Sequence, residues 1–240
     1  MIIIIIILII SKLYYGFTLF WFIYGNLNYR SKISKISNEP VSIIIAIRNG
    51  EKSLPELLKS LRQQQYNGKM EFILVDDESD DNTSILIKKA VNADSRFKYV
   101  TSINGNNLLN HKKRALDAGI KISKYEWLLF TDVDCIIKKT WVNGMAKYFN
   151  DNIDYIIGYS DVKTGNKLVT LFQSLDFFML MISARGSTLI GNAWACSGQN
   201  QAYRKTLFNK IGGFSKIANQ LQGDDSLFLQ LCRKNLSINI

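Results

Sequence analysis

Glu126-Trp127-Leu128-Leu129-Phe130-Thr131-Asp132-Val133-Asp134-Cys135 is the stretch that decides the fold, because in it an apolar run ends abruptly in two carboxylates. The run from Trp127 to Phe130 has the composition of a buried parallel strand. Carboxylates that follow such a strand emerge at its carboxyl end, where open α/β sheets bind their ligands. Two of them at this spacing can share Mg²⁺ or Mn²⁺, which take a few protein oxygens together with phosphates. The alternative is a strand that simply stops in a polar turn, since Asp is common in turns.

The composition of the 240-residue chain is that of a globular protein, with 47% hydrophobic and 21% charged residues. Its 30 Lys and Arg against 20 Asp and Glu give a formal net charge of +10. Such an excess suits nucleic acid, an anionic membrane face or a phosphorylated ligand. No arginine-rich block or recognition motif accompanies it, which favours the membrane and the ligand over nucleic acid. Cys135, Cys196 and Cys232 lack disulfide or zinc spacing and indicate reduced, mostly buried thiols of a cytosolic domain.

The N-terminal segment from Ile2 to Tyr24 is almost wholly apolar and predicts a transmembrane helix. As a helix it would be about 33 Å long, which is enough to cross a hydrocarbon core. No charge precedes the apolar run and bulky aromatic residues close it, unlike in a signal peptide, so we expect an uncleaved anchor over residues 1–25. Because Lys12 falls at mid-span, a pair of short interfacial apolar pieces is the alternative.

A basic, polar linker over residues 26–40 follows the apolar segment. It contains Arg30, Lys32 and Lys35, and cations beside a membrane span stay on the cytoplasmic side. The sequence therefore predicts a single-pass protein of the cell membrane whose downstream domain, residues 41–240, is cytoplasmic.

The first half of that domain alternates apolar runs with helical patterns. The predicted strands are Val41 to Ile47, Glu71 to Val75, Phe97 to Thr101 and residues 126–131, and the predicted helices are Ser53 to about Gln65, one ending near Ala93, and Asn110 to Ser123. This alternation predicts an α/β fold with a doubly wound, largely parallel sheet.

After Asp134 the alternation loosens. We expect a helix near residues 138–150, a strand near 153–159, a short helix from Tyr203 to Lys210, and a last helix that Gly223-Asp224-Asp225 opens and that ends near Lys234. The segment Lys167 to Ala184 is helical and strongly apolar, but it is short for a span and carries Gln173 and Asp176. Core or membrane-surface packing is therefore expected for it rather than a crossing.

The second predicted strand ends in Asp76-Asp77-Glu78-Ser79-Asp80-Asp81-Asn82-Thr83. Five acids within six residues at the end of a strand are more than a purely structural role requires. This segment, which we call the acidic loop, is therefore a second candidate for ligand binding.

Taken together, five segments in order resemble the large family of inverting, membrane-anchored glycosyltransferases with the A-type nucleotide-diphospho-sugar transferase fold, family two. The segments, which cover about residues 41–235, are Val41 to Glu51 with its Arg-Asn-x-Glu turn; Val75-Asp76-Asp77-x-Ser79-x-Asp81-x-Thr83; Lys112-x-x-Ala115-Leu116-Asp117-x-Gly119; Thr131-Asp132-Val133-Asp134; and Gly198-x-Asn200-x-Ala202-x-Arg204 with Gly212-Gly213-Phe214 and Gly223-Asp224-Asp225. Ala46 replaces a usual Pro and His111 a usual Gly, and no Gln-x-x-Arg-Trp motif follows, so processive polymerisation is unsupported.

The resemblance implies a glycosyltransferase domain over 41–240, with a nucleotide-binding half (41–135) and an acceptor half (136–240). It implies that Asp134 ligates Mg²⁺ or Mn²⁺, and that Asp132 contacts the metal or the ribose. A bound metal would neutralise the charge of a diphosphate leaving group without proton transfer. The implied nucleotide-binding residues further include Asp76, Asp77, Arg48 and Lys112. The alternative for acids at a helix N-terminus, a favourable interaction with the helix dipole, fits Asp80 and Asp81 better.

An inverting transfer needs a base that takes the proton of the acceptor hydroxyl as it attacks. The resemblance assigns this role to Asp225, and the alternative is that Asp224 and Asp225 simply cap the last helix. The implied function is metal-dependent transfer of a sugar from a UDP- or GDP-sugar to a glycan or lipid-linked acceptor in cell-surface glycan or glycolipid synthesis. The rival is a catalytically degenerate, membrane-tethered module that binds a nucleotide sugar without transferring it.

Overall fold

The computed structural model describes residues 2–28, 36–163, 165, 167–236, 238 and 240. The described residues form two compact units: those within 1–32 and 159–195 make up the smaller unit, and those within 33–158 and 196–240 make up the larger. Residues 159–195, which the sequence placed within the half 136–240, thus group with the N-terminal helix. Arg30, Lys32 and Lys35 lie outside the described residues, so the orientation inferred from them stays a prediction.

The secondary structure follows the predicted alternation. In chain order the elements are α1 (Ile2–Asn28), β1 (Val41–Ile47), α2 (Leu54–Arg62), β2 (Met70–Asp76), α3 (Thr83–Ala93), β3 (Phe97–Thr101), α4 (His111–Ile122), β4 (Trp127–Phe130), α5 (Trp141–Ala146), β5 (Tyr155–Ile157), α6 (Leu168–Leu189), β6 (Gln201–Arg204), α7 (Lys205–Ile211) and α8 (Ser226–Asn235), with 3₁₀ turns at Ser102–Asn104 and Ser215–Ile217.

The strands of the larger unit form one sheet in the order β3-β2-β1-β4-β6-β5. The first four of these run parallel, with Val41 of β1 opposite both Met70 of β2 and Trp127 of β4. The last two complete the sheet, since β6 is antiparallel to both β4 and β5. The predicted doubly wound, largely parallel sheet is therefore confirmed, and the free thiols of Cys196 and Cys232 are buried as expected.

The predicted helix from Tyr203 to Lys210 is wrong at its start. Tyr203 belongs to β6, where it lies opposite Leu128 of β4 and Tyr155 of β5. Its ring is fully buried and stacks on Phe130 with 4.6 Å between the ring centroids. Pairing within the sheet decides the conformation here, because β structure depends on the neighbours that the fold supplies more than on local preference.

One close contact places α4 against the centre of the sheet. A Cβ atom on Gly119 would lie 2.6 Å from Cγ2 of Ile44 and 2.9 Å from Cγ2 of Val75, so only glycine allows the helix to come this near. A crossover helix between parallel strands runs back along the sheet, so its N-terminus lies at the carboxyl ends of the strands. The first turn of α4, with Lys112 and Lys113, is thereby brought to the edge where β1, β2 and β4 end.

In the smaller unit, α1 and α6 are both long and apolar enough to cross a membrane by length and composition. They pack closely, since a Cβ on Gly25 would lie 2.2 Å from the carbonyl oxygen of Gly186 and Asn26 Nδ2 donates to the carbonyl of Ile182 at 3.0 Å. Such contacts between small residues are typical of helices that associate in membranes.

Of the two alternatives predicted for Lys167 to Ala184, the exposure of α6 excludes packing in the protein core and leaves packing at a membrane surface. The side chains of Leu168 and Phe172 are 85% and 70% exposed, and further apolar side chains along α6 are exposed as well. Apolar residues lie all round this helix rather than on one face, so a single contact surface cannot cover them. The described part of the chain thus carries two candidate membrane spans, where the sequence predicted one.

Candidate active site

A lysine and two distant carboxylates meet at the carboxyl edge of the sheet. Lys112, in the first turn of α4, places its Nζ 2.7 Å from Oδ1 of Asp132 and 3.3 Å from Oδ2 of Asp224. Asp132 follows β4, whereas Asp224 lies two residues before α8, so the ion pairs join segments about ninety residues apart in sequence. The structure therefore brings together two acidic motifs that the sequence treated separately, and Lys112 is the link.

The charge on Lys112 is firmly held. Burial alone would lower the pKa of this ammonium, but Asp224 and Asp132 outweigh that effect and raise the pKa to about 12. Lys112 is therefore a permanent cation over the physiological pH range. A permanent cation beside carboxylates at the end of a sheet offers one fixed positive charge to an anionic ligand.

Asp225 lies next to this cluster and caps α8. Its Oδ1 accepts a hydrogen bond from the backbone N–H of Ser226 at 2.5 Å, and its Oδ2 accepts one from the N–H of Gly198 at 3.3 Å. Burial, followed by the charge of Asp224, raises the pKa of this carboxyl, while the two N–H groups and Lys112 act in the opposite direction. An ionised carboxylate has lone pairs beyond these two hydrogen bonds, so capping leaves it able to accept a proton.

The loop before β6 brings its backbone against these acids. Ser226 fixes it twice, since its Oγ accepts from the N–H of Cys196 at 3.1 Å and donates to the carbonyl of Cys196 at 3.0 Å. A Cβ on Gly198 would lie 3.3 Å from both Asp224 Oδ2 and Lys112 Nζ, tighter than most real contacts. The Gly198 N–H and the Ser226 clamp escaped the sequence analysis, although Gly198 belongs to a segment that carried the resemblance.

The segment Asp132-Val133-Asp134 after β4 lines an open cavity of about 430 Å³ at this edge. The lining residues come from the turn after β1, from α4 and from the loop after β4, namely Ala46, Asn49, Gly50, Ser53, Lys112, Asp132, Val133 and Asp134. Asp132 and Asp134 thus share one cavity, and Asp134 is exposed to solvent within it.

A smaller cavity of about 180 Å³ lies between the turn after β1 and the start of α4. Its lining is rich in charge of both signs and consists of Arg48, Asp77, Glu78, Leu109, Asn110, His111 and Arg114. Two predicted ligand residues, Arg48 and Asp77, are therefore brought together. Another predicted ligand residue, Asp76, is buried, and its carboxylate accepts from the N–H of Ser79 at 3.1 Å and from the Tyr99 hydroxyl at 3.4 Å.

The rest of the acidic loop is tied to the turn after β1. Asp81 Oδ2 accepts from the N–H of Glu51, and its Oδ1 accepts from the N–H and the hydroxyl of Thr83. The Thr83 hydroxyl contributes most to lowering the pKa of Asp81, against a smaller effect of burial. The backbone N–H of Asp80 donates to Oδ1 of Asn49 at 2.8 Å. These contacts make Asp81 a brace of the loop.

The side chains of Asp132 and Asp134 offer carboxylate oxygens, which are the ligands that Mg²⁺ and Mn²⁺ prefer. Among the described residues, no group of three or more His, Cys, Asp and Glu side chains is arranged to hold a metal ion. Mg²⁺ is usually bound by one or two carboxylates, with its remaining ligands drawn from phosphates and water. The carboxylates of Asp132 and Asp134 therefore fit a cation that arrives together with a diphosphate.

A doubly wound sheet whose carboxyl edge gathers carboxylates and a fixed cation defines a nucleotide-binding α/β domain. The chain belongs to glycosyl transferase family 2, whose family model, "Glycosyl transferase family 2", matches residues 42–212. Its sequence is similar to poly-beta-1,6-N-acetyl-D-glucosamine synthase of Staphylococcus aureus (strain COL), with 24% identity over 207 residues, which make up 85% of this chain and 48% of that protein. The chain thus spans about half the length of the curated relatives it matches.

Two solved structures share the fold. The mannosyltransferase PcManGT from Pyrobaculum calidifontis, in complex with GDP-Man and Mn²⁺, has a TM-score of 0.65 and 17% identity, covering 85% of this chain and 56% of that one. TarS 1-349 of S. aureus has a TM-score of 0.55 and 21% identity, covering 83% of this chain and 56% of that one. At these identities the likeness establishes the A-type transferase fold.

Proposed function

We propose that this chain is a metal-dependent, inverting glycosyltransferase that moves a sugar from a nucleotide-diphospho-sugar to an acceptor hydroxyl in cell-surface glycan or glycolipid synthesis. The observation that carries the proposal is the cluster of Asp132, Asp224 and Asp225 around Lys112 at the carboxyl edge of the sheet. Family membership and the relative named as a polysaccharide synthase support it. The donor class, a UDP- or GDP-sugar, is supported by the fold neighbour that binds GDP-Man.

The two neighbouring cavities suit the two ends of such a donor. Arg48 and Asp77 line the smaller cavity, where a carboxylate can accept hydrogen bonds from a nucleobase or ribose and a guanidinium can donate them. Asp132 and Asp134 line the larger cavity, where they would hold Mg²⁺ or Mn²⁺, and the metal when bound supplies the positive charge that a departing diphosphate requires. Lys112, charged at every physiological pH, contributes a second positive charge there.

Asp225 is the proposed base. It is partly buried, its raised pKa makes it a stronger proton acceptor than a free aspartate, and two N–H groups hold its carboxylate in one orientation. These properties suit a group that takes the proton from the acceptor hydroxyl while that oxygen attacks the sugar. Asp224 instead forms an ion pair with Lys112, which favours Asp225 over its neighbour for this role.

Membrane attachment through α1 completes the proposal, with the catalytic unit in the cytoplasm and a glycan or lipid-linked acceptor. The length and composition of α1 support attachment, and α6 is a second candidate for membrane contact. Fractionation of a tagged full chain tests it, because an anchored protein requires detergent for release. Release by high salt alone would contradict anchoring through α1.

One observation favours the rival function, a module that binds a nucleotide sugar without transferring it. Lys112 already pairs with Asp132 and Asp224, so these two carboxylates are neutralised by the protein itself. A site that only binds a ligand would have such an arrangement. Nucleotide release from a panel of UDP- and GDP-sugars, with Mn²⁺ and with and without membrane lipid extract as acceptor, separates the two. Acceptor-dependent release supports the transferase, and saturable donor binding without release supports the module.

A further inference from the structure

Two consecutive lysines at the start of α4 have different surroundings. Lys112 reaches the carboxylates of the site, whereas Lys113 is only 2% exposed. The ammonium of Lys113 donates to the backbone carbonyl of Gln220, and it also lies 3.4 Å from the carbonyl oxygen of Gln222. In the motif that carried the family resemblance, position 113 is one of the open positions, so the resemblance gives Lys113 no role.

Burial of this ammonium is costly and needs compensation. Burial lowers the pKa of Lys113, and the nearby charge of Asp224 only partly opposes this effect. Among the described residues, the hydrogen bonds of Lys113 go to main-chain carbonyls rather than to a carboxylate. A charged donor gives stronger hydrogen bonds than a neutral one, so the segment that supplies the carbonyls is held firmly.

Among the described residues, that segment is otherwise held by the hydrogen bond from the Gln220 N–H to the carbonyl of Ile217 at 3.2 Å. The side chains of residues 219–222 are all exposed to solvent, and that of Leu221 is 76% exposed. Gly223 follows with a φ of +114°, and then come Asp224 and Asp225. The backbone of the segment is thus anchored from the inside by Lys113, directly before the turn that delivers both acids.

We propose that Lys113 is a positioning residue for Asp224 and Asp225, which acts by fixing the backbone of Gln220–Gln222. The first turn of α4 then holds the acidic turn at two points, the side chain of Asp224 through Lys112 and the preceding backbone through Lys113. This inference rests on the proposed role of Asp225 as base. A shift of the acids by about 1 Å can cost about 10²-fold in rate, although Lys113 itself touches no reacting atom.

The test compares Lys113→Met with Lys121→Met in the full chain. Lys121 is on the same helix, but it is half-exposed and pairs with Asp117 at 2.9 Å, so its variant controls for loss of a lysine from α4. We expect Lys113→Met to lower kcat by about 10²-fold while the donor KM stays roughly unchanged. Lys113→Arg, which keeps a charged donor, should recover most of the rate, and Lys121→Met should behave as wild type.

Hydrogen exchange provides a readout that does not need activity. Amides of residues 223–229 should exchange faster in Lys113→Met than in wild type or Lys121→Met, whereas amides of β1 and β2 should be unchanged. If Lys113→Met does not fold, Lys113→Gln, which keeps one weaker donor, takes its place and should show a smaller effect in the same direction. Unchanged exchange at 223–229, or a full transfer rate in a folded Lys113→Met variant, would overturn the proposal. A wild-type chain that transfers no sugar would count against the proposed function, and the exchange result would still decide the role of Lys113.

Discussion

The acidic loop after β2 and the acids around Lys112 lie at the same edge of the sheet, but their oxygens are engaged differently. In the acidic loop, Asp81 accepts hydrogen bonds from the backbone of Glu51 and Thr83, and Asp76 accepts one from Ser79. Around Lys112, Asp132 and Asp224 share one cation that a ligand could displace, and Asp225 has accepting capacity left.

The comparison shows that a segment rich in acidic residues need not offer carboxylates that are free to bind a ligand or take up a proton. A carboxylate committed to backbone N–H groups within its own loop stabilises that loop, and moving it to a ligand would leave those donors unsatisfied. A carboxylate paired with a lysine side chain, as in Asp132 and Asp224, can exchange partners at lower cost. Asp225 belongs with them because its proposed role uses a free lone pair and leaves its hydrogen bonds from Ser226 and Gly198 in place. Variants of the second group should therefore change catalysis and binding, and variants of the committed acids should mainly change stability.

The largest effect is expected for Asp225→Asn. The amide keeps the size of the side chain and can still accept from Ser226, but it cannot take up the hydroxyl proton at neutral pH. Transfer should fall by about 10²–10⁴-fold, or about 2.7–5.4 kcal/mol of barrier, with nucleotide affinity unchanged. Asp151→Asn, at a fully exposed side chain, is the matched control. If Asp225→Asn transferred sugar at a near-normal rate and Asp225→Ala had a lower melting temperature, Asp225 would serve only to cap α8 and would not be the base.

The pH dependence of transfer sharpens this prediction. Burial, aided by the charge of Asp224, raises the pKa of Asp225 above the ordinary aspartate value of 3.8. The base acts only when ionised, so kcat/KM should fall as the pH drops through a pKa above 3.8, by about tenfold per pH unit below it. Lys112, with a pKa of about 12, should not titrate between pH 6 and 10. If kcat/KM fell only at or below pH 3.8, the pH dependence would have to come from a group other than Asp225.

A smaller effect is expected for Asp134→Ala on metal-dependent donor binding. Calorimetry of UDP and GDP, with Mn²⁺ and with chelator, should show metal-dependent affinity in wild type and a loss of about 10- to 100-fold, about 1.4–2.7 kcal/mol, in the variant. With chelator present, the two proteins should bind alike. Equal affinity in all four measurements would remove the metal role of Asp134.

In the smaller cavity, Asp77→Asn should weaken nucleotide binding by about tenfold, since a hydrogen bond to a charged group contributes about 1.5–3 kcal/mol. The kcat at saturating donor should stay close to wild type, because Asp77 lines the smaller cavity and Asp225 is not among the residues that line it. Asp80→Asn, an exposed neighbour in the same loop, is the control and should bind normally. If Asp80→Asn proved as damaging as Asp77→Asn, net charge would account for the effect rather than a specific contact.

The sequence predicted the parallel strands well, because buried β-branched and apolar runs between turns leave few other structures. It also placed Asp132, Asp134 and Asp225 at element ends. It could not show that Lys112 joins Asp132 to Asp224, or that Lys113 anchors Gln220–Gln222, since these contacts depend on how α4 packs across the sheet. Strand β6 was missed because the strands that pair with it, β4 and β5, are distant in sequence. The sequence left core packing of α6 open because apolar composition alone does not show how much of a helix the rest of the chain covers.

The smallest effect on transfer is expected for Asp81→Asn, from the group of acids committed to their own loop. The variant keeps an acceptor oxygen but loses the charge that receives the Thr83 hydroxyl and the N–H groups of Thr83 and Glu51. We expect a modestly lower urea midpoint in detergent, with the transfer rate per folded molecule unchanged.

The stability difference between wild type and Asp81→Asn should depend on pH. Because the folded-state pKa of Asp81 is lowered from 3.8, the contribution of its charge to stability is present above that pH and is lost as the pH falls through the folded pKa. The midpoints of wild type and variant should therefore differ at pH 7 and converge only as the pH falls below 3.8. The difference should shrink with added salt because Asp81 is open to solvent. A variant that unfolds normally but loses transfer would place Asp81 with the acids of the active site and break the distinction between the two groups.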